Sequence, residues 1–240
     1  MPYALHYPHT YTWIDSYLKQ DGCPSRGLDA GSHGLLVIGN LPQTANRKSP
    51  PSRLTDSNSF QNKTLSDSFD PVFIFQGIPW IIRKVVSITT LSLKVAHDID
   101  ESGAKTLVFT QAASIAIAGL SEEKEVRFLD GRETFHSSAL FGTSSARSRL
   151  VNLSTATSND GKPLDPLLTR NLLQEGDPGG DNNLFDLIVH QTKGWVMEQI
   201  WGFGIVNDER RLMRKMVIRK GDEVAYITAF YDWKGRGDGQ

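Results

Sequence analysis

A single cysteine, Cys23, stands in 240 residues, so neither an internal disulfide nor a thiolate metal cluster can form. No run approaches the roughly 18 consecutive apolar residues of a membrane-spanning helix. No basic stretch followed by an apolar run of secretory length opens the chain. Charge of one sign is also lacking: 26 Lys and Arg stand against 27 Asp and Glu, a net charge of −1. That balance excludes the electrostatic footprint of a nucleic-acid or anionic-membrane binder. There is no Gly-x-Ser-x-Gly elbow and no phosphate loop. "GFGIVN" lacks the third glycine of a dinucleotide fingerprint, and "DPGGDNN" lacks the alternating acids and terminal Glu of a calcium loop. His6 and His9 have a spacing that could ligate a metal on a helix, but they fall in the N-terminal segment expected to be disordered. The pattern Asn-x-Ser/Thr at Asn62 and Asn152 carries no weight without a secretion signal. The expectation is a cytoplasmic protein with no membrane span, no nucleic-acid partner, no metal and no cofactor.

What is present divides the chain. Residues 1–58 include "NLPQTANRKSPPSRLTDSNS", which has no apolar period. Such a segment cannot bury enough surface to offset its ordering entropy. A disordered N-terminal extension is expected there, with "GLLVIGN" its one strand-like island. From Phe60 the pattern changes. "FDPVFIFQGIPWIIRKVV" reads as two short helices: Ser68 or Asp70 caps the first, Pro71 suits its first turn, Gly77 ends it and Pro79 starts the second. Alternating strands are expected over 60–65, 91–97, 105–112, 114–118, 125–129, 133–141 and 145–153. Four more follow over 184–190, 194–205, 209–220 and 223–233, with one helix over 164–173. About ten antiparallel strands at regular spacing argue for a sandwich or barrel. The domain boundaries are 59–234 for the barrel, with an insertion over about 154–183, and a disordered tail over 235–240.

One strand, a helical hairpin, then a run of up-and-down strands resembles the intracellular fatty-acid-binding proteins of the calycin group. The matching segments are "SDSFDPVFIFQGIPWIIRK", "LDGRETFHS" and "RKGDEVAYITAFY". The domain is also similar to a group of fungal lipocalin-like proteins, in which "GWVMEQIWGFG" and "FGTSSARSRLV" have counterparts. The likeness covers about residues 62–233. It implies an all-β fold, an up-and-down antiparallel barrel with a helix-turn-helix lid over a ligand cavity. Two departures matter. Residues 153–183 have no counterpart in fatty-acid-binding proteins. Their closing Arg-x-Tyr pair, which clamps a carboxylate, is also missing: if Tyr231 or Ala229 takes the Tyr place, the Arg place falls on Ala229 or Ile227.

Parity identifies an inner face. A two-residue turn at Asn207-Asp208 sets Trp201 opposite Arg214, Gln199 opposite Met216 and Phe203 opposite Leu212. A second turn at Lys220-Gly221 sets Ile227 opposite Arg214 and Tyr231 opposite Arg210. Side chains alternate across a sheet. Met197, Gln199, Trp201 and Phe203 therefore share one face with Leu212, Arg214, Met216, Ile227, Ala229 and Tyr231. The other face carries Glu198, Arg211, Lys215 and Arg219. Arg214 has two readings. It is either a structural cation stacked on Trp201, or an anchor for an oxygen-rich ligand group. A turn at Gly142-Thr143 pairs His136 with Arg149 on a solvated face, leaving Phe135, Ala139 and Phe141 buried. A general base is the other reading of His136. Phe73, Phe75 and Trp80 are expected beneath the lid, with Phe73 and Trp80 touching ligand.

The leading functional expectation is a non-covalent binder of a hydrophobic small molecule. The alternative is a cofactor-independent isomerase or cyclase of fungal secondary metabolism, acting on a polyketide- or terpenoid-like compound. Its catalytic candidates are Arg214, Tyr231 and His136. A third reading is an interaction module built on the extension or the insertion. The extension yields a first prediction: deleting residues 1–55 leaves thermal unfolding cooperative, with a midpoint within a few degrees of the full chain. Loss of a cooperative melt would make "GLLVIGN" part of the barrel.

Overall fold

The computed structural model describes residues 57–114, 122–174 and 182–235. The expected extension, the strand over 114–118 and the tail beyond Gly235 lie outside the described residues or at their margins. The elements run β1 (Ser57–Gln61), α1 (Asp70–Phe75), α2 (Trp80–Ile88), β2 (Leu91–Ile99), β3 (Lys105–Ala113), β4 (Glu123–Phe128), β5 (Asp130–Ser138) and β6 (Gly142–Val151). They continue α3 (Pro166–Thr169), β7 (Asn183–His190), β8 (Val196–Val206), β9 (Glu209–Lys220) and β10 (Glu223–Gly235). The ten strands form one antiparallel sheet in the order β4-β3-β2-β1-β10-β9-β8-β7-β6-β5. The two edges are β4 and β5, neighbours in the chain, so the sheet curls into a barrel with one unpaired seam. Ser138 of β5 donates to Glu123 of β4 across that seam at 2.7 Å. No helix among the described residues is long and apolar enough to cross a membrane.

Turn chemistry sets the registers. Asn207 and Asp208 both take positive φ, 51° and 59°, as a type I′ hairpin requires. Trp201 pairs with Arg214, Gln199 with Met216 and Phe203 with Leu212, as expected. The next turn falls one residue later than expected, at Gly221-Asp222, with Lys220 paired to Glu223. Gly221 supplies the positive φ of 58° at its first position. Ala229 therefore sits opposite Arg214, Ile227 opposite Met216 and Tyr231 opposite Leu212. The slip changes partners but preserves the faces. The β5–β6 connection differs more. It is a three-residue loop with Ser138 paired to Gly142, and His136 pairs with Ser144 rather than Arg149. An odd change in loop length reverses parity. Phe135 consequently faces solvent, 67% exposed, and His136 faces inward.

The helical hairpin covers one end of the barrel. The Ser68 hydroxyl accepts from Asp70 N at 3.2 Å, and Pro71 occupies the first turn of α1. Gly77, at φ 69°, ends the helix. Gly77 N bonds Ile74 O and Ile78 N bonds Phe73 O, both at 2.9 Å, a Schellman closure. Val72 is 3% exposed and packs with Ile188, Trp195, Met197 and Met216. α1 is thus part of the core, moored by Lys193 Nζ donating to Gln76 O at 2.6 Å. α2 buries none of its residues, and Trp80, Ile81 and Ile88 lie on the surface. An Arg83–Asp70 ion pair of 2.6 Å ties α2 to α1.

The insertion is a strap across the outside of the barrel. The helix expected over 164–173 is a single turn, capped by the Asp165 carboxylate accepting from Leu167 N at 3.0 Å. Asn171, at φ 62°, ends it and redirects the chain, so that Leu173 N bonds Phe203 O at 2.7 Å. Leu164 and Leu168 of the strap pack on Phe185, Ile200 and Val217, a core outside the barrel wall. The charged outer face serves as its anchorage. Arg219 bridges Asp165 (2.8 Å) and Glu198 (3.1 Å), and Lys215 Nζ donates to Arg170 O at 2.5 Å. Burial and the nearby Arg170 lower the Lys215 pKa. Leu164 and Leu168 are spent on the barrel, while Leu167 is exposed.

The strap needs glycine beneath it. A Cβ at Gly204 would stand 2.5 Å from Asn171 O, a backbone atom, and 2.3 Å from Met213 Sδ. Gly204→Ala should therefore push the strap off β8 and cost about 1–3 kcal/mol, the usual scale of overpacking. Thermal melts read this as a Tm several degrees lower. An unchanged Tm would mean that the strap is held elsewhere.

Candidate functional site

A cavity of about 170 Å³ lies between α1 and the barrel interior. Its roof is apolar, from Phe69, Val72 and Phe73 of α1, and one wall is Trp195, Met197 and Met216 of the segment leading into β8 and of β8–β9. The rest of the lining is polar: Glu123, Glu125 and Arg127 of β4, His136 of β5, and Arg214, two residues along the same face of β9 from Met216. Of the residues singled out from sequence, Arg214, Met197, Phe73 and His136 line this cavity. Trp201, Gln199, Phe203, Ile227 and Tyr231 share the inner face but are packed into the barrel core. Trp201 is wedged between Phe109 (5.2 Å) and Tyr231 (5.6 Å). Trp80 is 61% exposed on α2, away from the cavity lining.

The buried polar groups are wired together. Arg214 Nε donates to Gln199 Oε1 at 2.8 Å, and its guanidinium lies 4.8 Å over the Trp201 ring. Gln199 Nε2 donates to Asp186 at 2.7 Å, and Ser148 Oγ donates to the other Asp186 oxygen at 2.6 Å. That oxygen is also 3.8 Å from Arg127 Nη1. Arg127 in turn bonds Glu125 at 2.6 Å. Within this wired set two guanidiniums face two carboxylates, with Glu123 a further carboxylate on the cavity lining. Arg214 finds acceptors in Gln199, whose orientation Asp186 fixes, and in the Tyr231 hydroxyl. Arg127 is 4% exposed, and its Nε and Nη1 have no hydrogen-bond partner. Burial opposes its charge, but Asp186 and Glu125 outweigh burial and raise its pKa above the usual range. Burial pushes the Tyr231 phenol up, and the Arg214 guanidinium offsets only part of that. Tyr231 is therefore a neutral hydroxyl near neutral pH.

Sequence reasoning overlooked β4 and Asp186. "EKEVRF" places Glu123, Glu125 and Arg127 inward and leaves Val126 facing out, the reverse of an ordinary barrel strand. The available signal was the two-residue spacing of three charges, together with an Asp in the middle of the apolar "NLFDLIVH". His190, also buried, is occupied structurally. Its Nδ1 accepts from Thr192 N and Lys193 N at 3.1 and 2.9 Å, so Nε2 donates to Phe141 O at 2.9 Å.

No family model matches the chain. Over 175 residues, 72% of the chain, it is 26% identical to pericyclase pydY of an Acremonium species, covering 88% of that protein. It is 27% identical, again over 175 residues, to a protein of Mollisia scopiformis named probable pericyclase scpY, covering 86% of it. Similar solved structures include a Schistosoma mansoni fatty-acid-binding protein in complex with arachidonic acid, with TM-score 0.44, 12% identity and coverage of 75% of this chain and 95% of that one. A fatty-acid-binding protein from Drosophila melanogaster brain gives TM-score 0.45, 11% identity and coverage of 74% and 98%. The structural neighbours are fatty-acid-binding barrels, and the sequence relatives are fungal pericyclases. The expected resemblance stands on the element order itself: one strand, a helical pair, then nine further strands.

Asp186 is the group on which the wiring converges. Asp186→Ala should leave the Arg127 charge buried with Glu125 as its one remaining carboxylate, and Gln199 without its acceptor. Breaking a buried pair on one side costs about 3–5 kcal/mol. Urea unfolding should show that loss. A change under about 1 kcal/mol would mean that the relay contributes little to folding.

Proposed function

We propose that the barrel binds a hydrophobic small molecule and, as a cofactor-independent enzyme, closes it into a ring by a pericyclic rearrangement. Arg214 carries this reading: a guanidinium on the cavity wall, held by Gln199 and by the Trp201 ring beneath it. The likeness to two fungal pericyclases, over more than four-fifths of their length, supports the reaction class.

Such a reaction is an isomerisation. Within one molecule, π bonds are exchanged for C–C σ bonds, and no atom or electron enters or leaves. The protein therefore has no need of a nucleophile or a redox partner, and its contribution is shape and charge. Val72, Phe73, Met197 and Met216 offer an apolar mould that can hold a flexible unsaturated chain coiled, bringing its reacting ends to near-attack distance. Arg214 is placed to donate to a carbonyl conjugated with one reacting π bond. Drawing density out of that bond lowers the barrier, and a donor already fixed by Gln199 adds no reorganisation cost. Arg127, whose Nε is buried without a hydrogen-bond partner, is a second cation on the lining of the same cavity.

Passive carriage is the second reading, favoured by the apolar roof. A linear polyene with a conjugated terminal carbonyl separates the two. Turnover appears as loss of polyene absorbance and a product of unchanged mass, formed faster than in a protein-free blank. Arg214→Met should lower that rate by about 10²–10³, the cost of removing one preorganised donor. Its stability should fall by only about 1–3 kcal/mol, from Gln199 Oε1 left unpartnered. A polyene that binds but never cyclises would make the barrel a carrier. Wild-type turnover by Arg214→Met would remove Arg214 from the chemistry.

A further inference from the structure

We infer that the space between β1, the helical hairpin and the start of β2 is a second compartment of the ligand site, built for the oxygen-bearing end of an amphipathic molecule. It rests on the small-molecule reading above. A pocket of about 260 Å³ lies there, lined on its polar side by Lys63, Ser66, Asp67, Asp70, Arg83 and Ser87. It shares Phe69, Phe73, Val86 and Leu91 with the barrel cavity, so the two spaces are the two sides of one wall. Phe69 and Phe73 stack at 5.9 Å, and Phe73 meets Phe141 at 6.3 Å. Side-chain rotation alone can open such a partition, without breaking strand pairing.

Size and polarity favour joint use. The barrel cavity, about 170 Å³, and the outer pocket, about 260 Å³, each fall short of the roughly 300–1,000 Å³ usual for drug-sized ligands. Joined past Phe73, they accommodate an elongated molecule. The charges of the outer pocket are largely answered internally. Asp70 takes Arg83 Nη1 at 2.6 Å, Asp67 accepts from Thr228 N at 2.7 Å, and Lys63 Nζ donates to Ser87 O at 2.7 Å. What remains is Arg83 Nε, buried without a hydrogen-bond partner on a side chain 15% exposed. A buried donor of that kind is costly unless an acceptor reaches it. A rotation of the Arg83 side chain turns that N–H toward the pocket, where a carboxylate or carbonyl oxygen at one end of the ligand supplies the acceptor, while the apolar remainder passes the Phe69–Phe73 wall into the barrel.

The test uses the full chain and cis-parinaric acid, a fluorescent polyene fatty acid. Wild-type protein should bind it with enhanced fluorescence. Arg83→Met should weaken binding by about 10- to 100-fold, as expected for a lost hydrogen bond to a charged group. Arg83→Met also breaks the bridge to Asp70, so Ser87→Phe decides. Ser87 is an exposed helical position that lines the outer pocket and not the barrel cavity, and a phenyl ring there reduces the outer space without entering that cavity. A tenfold or larger loss with an unchanged Tm supports the second compartment. Binding by Ser87→Phe within twofold of wild type overturns it while leaving the small-molecule reading intact. Absence of binding by the wild-type protein removes both.

Discussion

A guanidinium inside a barrel must find acceptors, and in this chain the demand from two of them converges on Asp186. One carboxylate faces Arg127 from β4 and receives Ser148 from β6 and Gln199 from β8. Through Gln199 it also sets where Arg214 points. Burying any one of these charges alone costs several kcal/mol, whereas the assembled set is balanced in charge. This relay spans the interior from the seam strand β4 to the strongly packed β9. The register of β6, which presents Ser148, and of β7, which presents Asp186, serves the same demand. The position of the cation facing the cavity is therefore a consequence of folding rather than of ligand arrival.

Packing reinforces that placement from both sides. The inner face of β8–β9 meets Phe109, Tyr231 and the underside of α1, and the outer face meets the strap. The two helices of the hairpin contribute differently. α1 seals the barrel with Val72 and is moored by Lys193, while α2 is held by Arg83 and buries none of its own residues. Motion that admits a ligand is thus expected in α2 and the ring side chains beneath α1, with the β8–β9 floor unmoved. The functional reading, a preformed donor under an adaptable apolar roof, follows from that division.

Much of this was legible in the sequence where turn chemistry was decisive. Asn207-Asp208 permits one tight hairpin, and it placed Trp201, Gln199 and Phe203 opposite their partners. A later turn at Gly221-Asp222 slipped the next register without changing faces, because a one-position shift of a two-residue turn preserves parity. The β5–β6 loop defeated the same argument. Three residues stand where two were expected, and His136 exchanged sides with Phe135. Apolar content pointed the wrong way there, since no periodicity records that Ser148 must reach a buried carboxylate. In β4 the inward residues are charged, so hydrophobic patterning gave no face at all. The strap was invisible for another reason. The outward Ile200 and Val217 were the trace of a second core, but only the folded chain shows which segment lies on them.

The two-sided clamp on β8–β9 bears on how such a protein can acquire new ligands. A substitution on that strand pair must satisfy the barrel interior and the strap at once, so most changes there are filtered out before they alter chemistry. Apart from Arg127 and Glu125, which the Asp186 relay holds in place, the unpaired seam between β4 and β5 is under no such double requirement: its remaining side chains meet the cavity on one side and solvent on the other. Divergence that changes ligand shape while keeping the fixed cation should therefore accumulate along β5, the β4–β5 loop and the β4 positions outside the relay. The barrel would vary like a lock whose bolt is welded and whose wards are left free.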